Sequence, residues 1–331
     1  MSRIHLIARD NGAGLSRDLQ IVGDILANEG FDVTASAIGA GGVRRQMRRW
    51  RLRVSLGWRA LTQRDRNTQF DAALSFERIL PDFLGLARRN ALIPNPEWFR
   101  PEYEAALGRI DRVFAKTHHA VPLFASLGCD TRFVGFTSVD RLRADVAREP
   151  HFLHLAGRSG NKGTQALATL WQKKPSWPLL TIVQRRKQTE PVPAASNIRF
   201  ETRYLDEPDV VAIANRHLFH LCPSETEGFG HNLCEGMSVG PVLLTTDAPP
   251  MNELVTADRG ILVRYARVGT QRLATTYFVD DSTLAEGVER MLSLDAAQRR
   301  AFREAARAWY EANDRDFRRR IVAAVADLAS Q

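Results

Sequence analysis

Residues 223–242 read PSETEGFGHNLCEGMSVGPV, and the fold turns on how this stretch is read. Before it stands RHLFHLCP (216–223), a short apolar run ending in Cys222 and Pro223, the pattern of a buried strand that stops abruptly. After it, Asn232 to Val239 predicts a helix whose turn is opened by Gly228 and Gly230. A strand, a glycine turn and a helix N-terminus present backbone N–H groups and a positive dipole end to an anion. Glu227 and Glu235 flank that position. Carboxylates suit sugar hydroxyls because they accept several hydrogen bonds. The expected ligand carries both phosphate and sugar.

Other segments repeat the logic on either side. HFLHLAGRSGNKG (151–163) predicts a strand that runs into Gly-Arg and then Lys-Gly. NIRFETRYLDEPDVVAIANRHLFHLCPS (197–224) predicts an approach strand, a connecting helix and the strand before the glycine turn. NELV and RGILV follow within 252–263. In this order, with Pro-Ser, EGFG, Glu235, Gly240 and Pro241-Val242, the second half resembles the retaining nucleotide-sugar glycosyltransferases of the GT-B fold. That group is the large family four, the glycosyl transferases group 1 type.

The resemblance implies an α/β protein of two Rossmann-like domains facing a cleft, with a C-terminal helix crossing back to the first domain. It implies that Arg158 and Lys162 grip the donor diphosphate, although the gap between them is one residue shorter than the family's. Glu227 and the N–H groups of Phe229 and Gly230 would contact the transferred sugar, and Glu235 would hold the ribose hydroxyls. Gly228, Asn232 and Leu233 complete the implied donor-binding turn. Many members carry a His where this chain has Asn95-Pro96-Glu97, which leaves His118 and His119 as candidate substitutes. LLTIVQRRK (179–187) lacks the family's glycine pair, so Arg185 or Tyr204 is expected to line the base pocket. The loop carrying Gly12 and Gly14 would face the phosphates and the acceptor.

A leaving diphosphate needs positive charge where its own charge develops. Two cations and a helix dipole supply that, so neither a metal nor a cofactor is expected beyond the nucleoside-diphosphate sugar itself. The three cysteines, Cys129, Cys222 and Cys234, have no disulfide or zinc spacing and read as small buried hydrophobes. With 331 residues and 44% hydrophobic content the chain is long enough for two cores. The N-terminal apolar run is too short for a signal peptide, and no run approaches the roughly 18 apolar residues of a spanning helix. A cytoplasmic protein, peripheral at most on the cytosolic face of the inner membrane, is expected.

Along the chain, Ile4–Ala8, a helix with Leu15, Leu19, Val22 and Leu26 in register, and Phe31–Ala37 form a βαβ start. Strands follow at 71–76, 90–95, 110–116 and 131–136, with a helix at 120–128. The polar segment 137–150 is the expected crossing. The first domain is placed at 1–145 together with a C-terminal helix at about 313–331, and the donor-binding domain at 151–312.

Residues 41–66 hold nine Arg and one Asp in a chain of net charge +8. Read as a helix, Val43, Met47, Trp50, Val54 and Leu61 share one face, which suits an anionic membrane surface or a lipid-linked acceptor through 43–61. Packing of that stripe on the first sheet explains it equally well. Nucleic acid is not an expected partner, because no nucleic-acid motif accompanies the charge. The reading is sugar transfer to a glycan or lipid-linked acceptor in cell-surface polysaccharide synthesis. Its rivals are a nucleotide-sugar 2-epimerase and a catalytically silent anion-binding protein of the same fold.

Overall fold

The computed structural model describes residues 1–9, 14–38, 68–184 and 195–331. The basic segment 41–66, Gly12 and Arg185 lie outside these residues. The chain divides into two compact units, residues 1–136 with 315–331 and residues 137–314.

The first unit is built on β1 (Arg3–Arg9), α1 (Gly14–Asn28), β2 (Asp32–Ile38), β3 (Phe70–Phe76), β4 (Ala87–Ile93), β5 (Arg112–Ala115), α2 (Ala120–Ala125) and β6 (Thr131–Phe133). Its six strands are parallel in the order β2-β1-β3-β4-β5-β6. Five successive residues of β1 and five of β3 are buried, as expected where a parallel sheet is covered on both faces. Leu19, Val22, Ile25 and Leu26 are the buried stripe of α1. The end of the chain supplies a second stripe to this unit, with Phe317, Ile321, Val325 and Leu328 fully buried. Phe317 meets Phe136 with ring centroids 4.8 Å apart, and Arg320 Nε donates to the Val134 carbonyl at 2.8 Å.

The second unit contains β7 (Glu149–Gly157), α3 (Thr164–Lys173), β8 (Leu180–Gln184), β9 (Ile198–Glu201), α4 (Glu207–Arg216), β10 (His217–Cys222), α5 (His231–Val239), β11 (Val242–Thr246), α6 (Met251–Leu254) and β12 (Ile261–Val263). Next come β13 (Arg267–Gln271), β14 (Ala274–Phe278), α7 (Asp281–Ser293) and α8 (Ala296–Ser330), which belongs to this unit as far as residue 314. The parallel sheet runs β12-β11-β10-β7-β8-β9, while β13 and β14 form a separate antiparallel hairpin. Phe152, Phe219, Trp171 and Trp177 centre the core, Phe152 stacking on Phe219 at 4.8 Å and meeting Trp171 edge-on at 5.0 Å.

Two elements depart from the sequence expectation. The C-terminal helix expected at about 313–331 is the second half of one 35-residue helix, α8, since Asn313 and Asp314 lower helix propensity without ending the helix. The β13–β14 hairpin was not expected, because its two-residue turn is Arg272-Leu273 and lacks the glycine or asparagine that marks such turns. Arg272 takes the left-handed conformation itself, at φ 58°.

Candidate active site

In the second unit β7 leads on to β8 at one side, and β10 leads on to β11 at the other. Open α/β sheets bind ligands at the carboxyl edge of such a reversal. The loop after β7 and the loop after β10 meet there: Glu225 N donates to the Asn161 carbonyl at 2.9 Å. Gly163 ends the first loop in the left-handed region, φ 68°. A Cβ on it would stand 2.5 Å from the Pro223 carbonyl oxygen, so only glycine permits this approach. Gly230 caps α5 at φ 103°, a conformation that L side chains rarely adopt.

These constraints bring the sequence-predicted residues together. Lys162 Nζ donates to Glu227 and, at 2.9 Å, to Asn232 Oδ1 in the first turn of α5. The cationic loop and the amino end of the helix therefore converge. The Lys162 and Glu227 side chains are 13% and 11% exposed, a setting in which charges interact more strongly than in water. Arg158 directly follows β7 and is exposed. Phe229 is buried and meets His231 edge-on at 5.4 Å. The His231 ring nitrogen Nδ1 lies 2.6 Å from Ser138 Oγ.

Glu235 is placed differently from a solvent-facing carboxylate. It is 7% exposed, and its Oε2 accepts from Arg141 Nη1 at 2.6 Å. Arg141 also donates through Nε and Nη2 to both oxygens of Glu207, at 2.8 and 3.0 Å. Sequence reading treated 137–150 as a polar crossing and passed over Arg141. The signal available was weak: an arginine among apolar and acidic neighbours, with its partners 66 and 94 residues away.

The remaining candidates fall as follows. Gly228 lies in the turn before α5, and Leu233 is fully buried, its N–H bonded to the Gly230 carbonyl at 3.0 Å. Tyr204 is 68% exposed on the segment after β9. Gly14 opens α1. His118 stacks on Phe133 at 3.7 Å within the first unit, and His119 immediately precedes α2. Asn95 accepts from Lys116 Nζ at 3.1 Å, and Lys116 pairs with Asp18 at 2.5 Å in full burial.

Three groups in the second unit are tuned for structure. His154 Nδ1 lies 2.7 Å from the Leu221 carbonyl and Nε2 lies 2.9 Å from Thr164 Oγ1, the pattern of a neutral ring. Burial lowers its pKa to about 4, against the opposing pull of the Leu221 bond. The Cys222 thiol is pushed up to about 12 by burial, and Cys234 is raised in the same way, which removes both as nucleophiles. Where β7, β8 and β10 end, a cavity of about 380 Å³ opens, lined among others by Gly160, Gln184, Glu225 and Phe278. Burial raises the Glu225 carboxyl, and Arg267 opposes that shift. Among the described residues no group of three or more His, Cys, Asp or Glu is placed to hold a metal ion, and no helix is long and apolar enough to cross a membrane.

Residues 184–309 match the family described as glycosyl transferases group 1. No curated protein matches the chain. Solved structures are similar over nearly its whole length. A glycosyltransferase from Rickettsia africae has a TM-score of 0.73 at 12% identity, covering 99% of this chain and 98% of its own. HepE from Anabaena, in complex with UDP and glucose, has a TM-score of 0.70 at 15% identity, with 100% of each chain covered. Sucrose-phosphate synthase from Thermosynechococcus elongatus has a TM-score of 0.62 at 14% identity over 94% of each. At these identities the likeness establishes the two-domain GT-B fold.

Proposed function

Since residues 184–309 match the glycosyl transferases group 1 family, we propose that the protein is a retaining glycosyltransferase. Its donor is a nucleoside-diphosphate sugar and its acceptor a glycan or lipid-linked glycan of the cell surface. One observation carries the reading: Lys162, on the loop after β7, reaches Glu227 and Asn232 at the start of α5. A diphosphate at this point meets the Lys162 ammonium, the N-terminal N–H groups of α5 and, from the same loop, Arg158.

In the proposed reaction the bond from the sugar's anomeric carbon to the diphosphate oxygen breaks as the acceptor oxygen bonds to the same face. The acceptor's proton passes to the departing phosphate. Lys162, Arg158 and the α5 dipole stabilise the charge that develops on the diphosphate. Glu227 accepts hydrogen bonds from sugar hydroxyls and forms no covalent link, and Glu235 holds the ribose hydroxyls. The cavity of about 380 Å³ gives room for part of the nucleotide. HepE, a fold neighbour, holds UDP and glucose, which supports the same class of donor here. This chemistry calls for no cofactor and no metal ion. A peripheral site of action on the cytosolic face of the membrane belongs to the same proposal, through residues 43–61.

The test is product detection by mass spectrometry with UDP-, GDP-, ADP- and dTDP-sugars and a panel of lipid-linked and free glycans. Glu227→Ala and Arg158→Ala are expected to lower kcat/KM by about 100-fold or more while the fold is kept. Full activity in both variants removes the site assignment. Sugar-nucleotide turnover without any acceptor moves the protein into the epimerase class.

A further inference from the structure

Arg141 binds α5 and α4 at once, through backbone and side chain. Its N–H donates to Ser238 Oγ at 3.1 Å, and Ser238 Oγ in turn donates to the Glu235 carbonyl at 2.7 Å. Its carbonyl accepts from Asn215 Nδ2 at 2.7 Å, and Asn215 is fully buried. The guanidinium thus leaves a fixed backbone. With its side chain 4% exposed, it spans from Glu207 in the first turn of α4 to Glu235 in α5. The fork is divided unevenly. Two N–H groups take both oxygens of Glu207, a bidentate pairing, and a third takes only Oε2 of Glu235.

A carboxylate offers about four acceptor positions, and an arginine held at both ends of its fork sets the direction in which those of Glu235 point. We propose that Arg141 is a positioning residue for the donor's ribose: it holds the Glu235 carboxylate turned so that it can accept from the ribose hydroxyls, and Glu207 anchors Arg141 in that pose. This rests on the reading of Glu235 as the ribose-binding carboxylate.

The test separates the proposal from that reading. UDP, GDP and ADP, each paired with its 2′,3′-dideoxy analogue, are titrated calorimetrically into wild type, Arg141→Met, Arg141→Lys and Glu207→Gln, with thermal melts run alongside. Wild type is expected to prefer at least one ribonucleotide over its dideoxy partner. Arg141→Met is expected to lose on the order of tenfold for the ribonucleotide and little for the dideoxy form, erasing the preference. Glu207→Gln, which leaves the Arg141–Glu235 pair in place, is expected to lose only a few-fold, again for the ribonucleotide alone. If wild type shows no preference, Glu235 does not hold ribose, and the reading beneath the proposal fails. If wild type discriminates and the Arg141 variants discriminate equally well, Arg141 only stabilises the fold and the proposal fails by itself. Should Arg141→Met not fold, Arg141→Lys and Glu207→Gln decide the matter, since retained preference in both overturns it.

Discussion

Replacing Gly163 by alanine adds one methyl group at the point where the β7 loop touches the end of β10. That methyl would lie 2.5 Å from the Pro223 carbonyl oxygen and 3.0 Å from Pro223 Cγ, where ordinary contact begins at 3.4 Å. Backbone must therefore move by close to an ångström, since the nearest atom belongs to the main chain. The residue also sits at φ 68°, which costs an alanine about 1–2 kcal/mol. Overpacking adds about 1–3 kcal/mol, for a total of about 2–5 kcal/mol. In a unit of this size each kcal/mol lowers the melting midpoint by about 2–4 °C. Lys162 is the neighbouring residue, so the same displacement takes its ammonium away from the site. A misplacement of about 1 Å can cost about 100-fold in rate. Gly160→Ala is the internal control, because a Cβ there meets nothing within 4 Å. It should melt within about 0.5 kcal/mol of wild type. Differential scanning calorimetry and initial-rate assays of both variants read the two effects. The packing argument is refuted if Gly163→Ala melts like Gly160→Ala and turns over like wild type.

Two further outcomes follow from buried groups. His154 has a folded pKa of about 4, below its ordinary value near 6.5, so between these values the unfolded chain takes up a proton that the folded one refuses. Its contribution to stability is intact above about pH 6.5 and is lost as the pH falls toward 4, by on the order of 3 kcal/mol. Urea titrations from pH 7 to 4.5 should slope less steeply in His154→Gln than in wild type, and superimposable profiles would sink the assignment. Phe317→Ala, which removes a fully buried ring packed on Phe136, should cost the first unit about 3–5 kcal/mol. Hydrogen exchange should then rise in β1, β3 and β5 ahead of β10 and β11, and uniform exchange would contradict the assignment of 315–331 to that unit.

The parts legible in the sequence are those whose determinants are local. The strand, glycine turn and helix of 216–239 announce themselves because Gly230 must take a positive φ and because β10, buried at every position but Leu218, reads as a short, mostly apolar run. The meeting of the loop that carries Lys162 with the amino end of α5 could be expected from the motif order alone. The Arg141 network could not, because its bonds join residues up to 94 apart and burial is invisible in a polar segment. The hairpin was missed for a different reason: Arg272 takes the role normally marked by glycine, so local chemistry gave no warning. His118 was a candidate substitute on sequence grounds; its ring lies flat on Phe133, a contact that no local pattern announces.

The hairpin is tied to the loops of the site chiefly through main-chain atoms. Tyr277 N donates to the Glu225 carbonyl at 2.7 Å, Glu225 N donates to Asn161, and Gln271 Oε1 accepts from Asn161 Nδ2 at 2.9 Å. Such a splint constrains strand register far more than side-chain identity. Its outward positions, Val268 among them at 54% exposure, are free to diverge without loosening the loops it braces. An engineer wishing to graft a new recognition surface beside the loops could rewrite those positions and leave the brace intact.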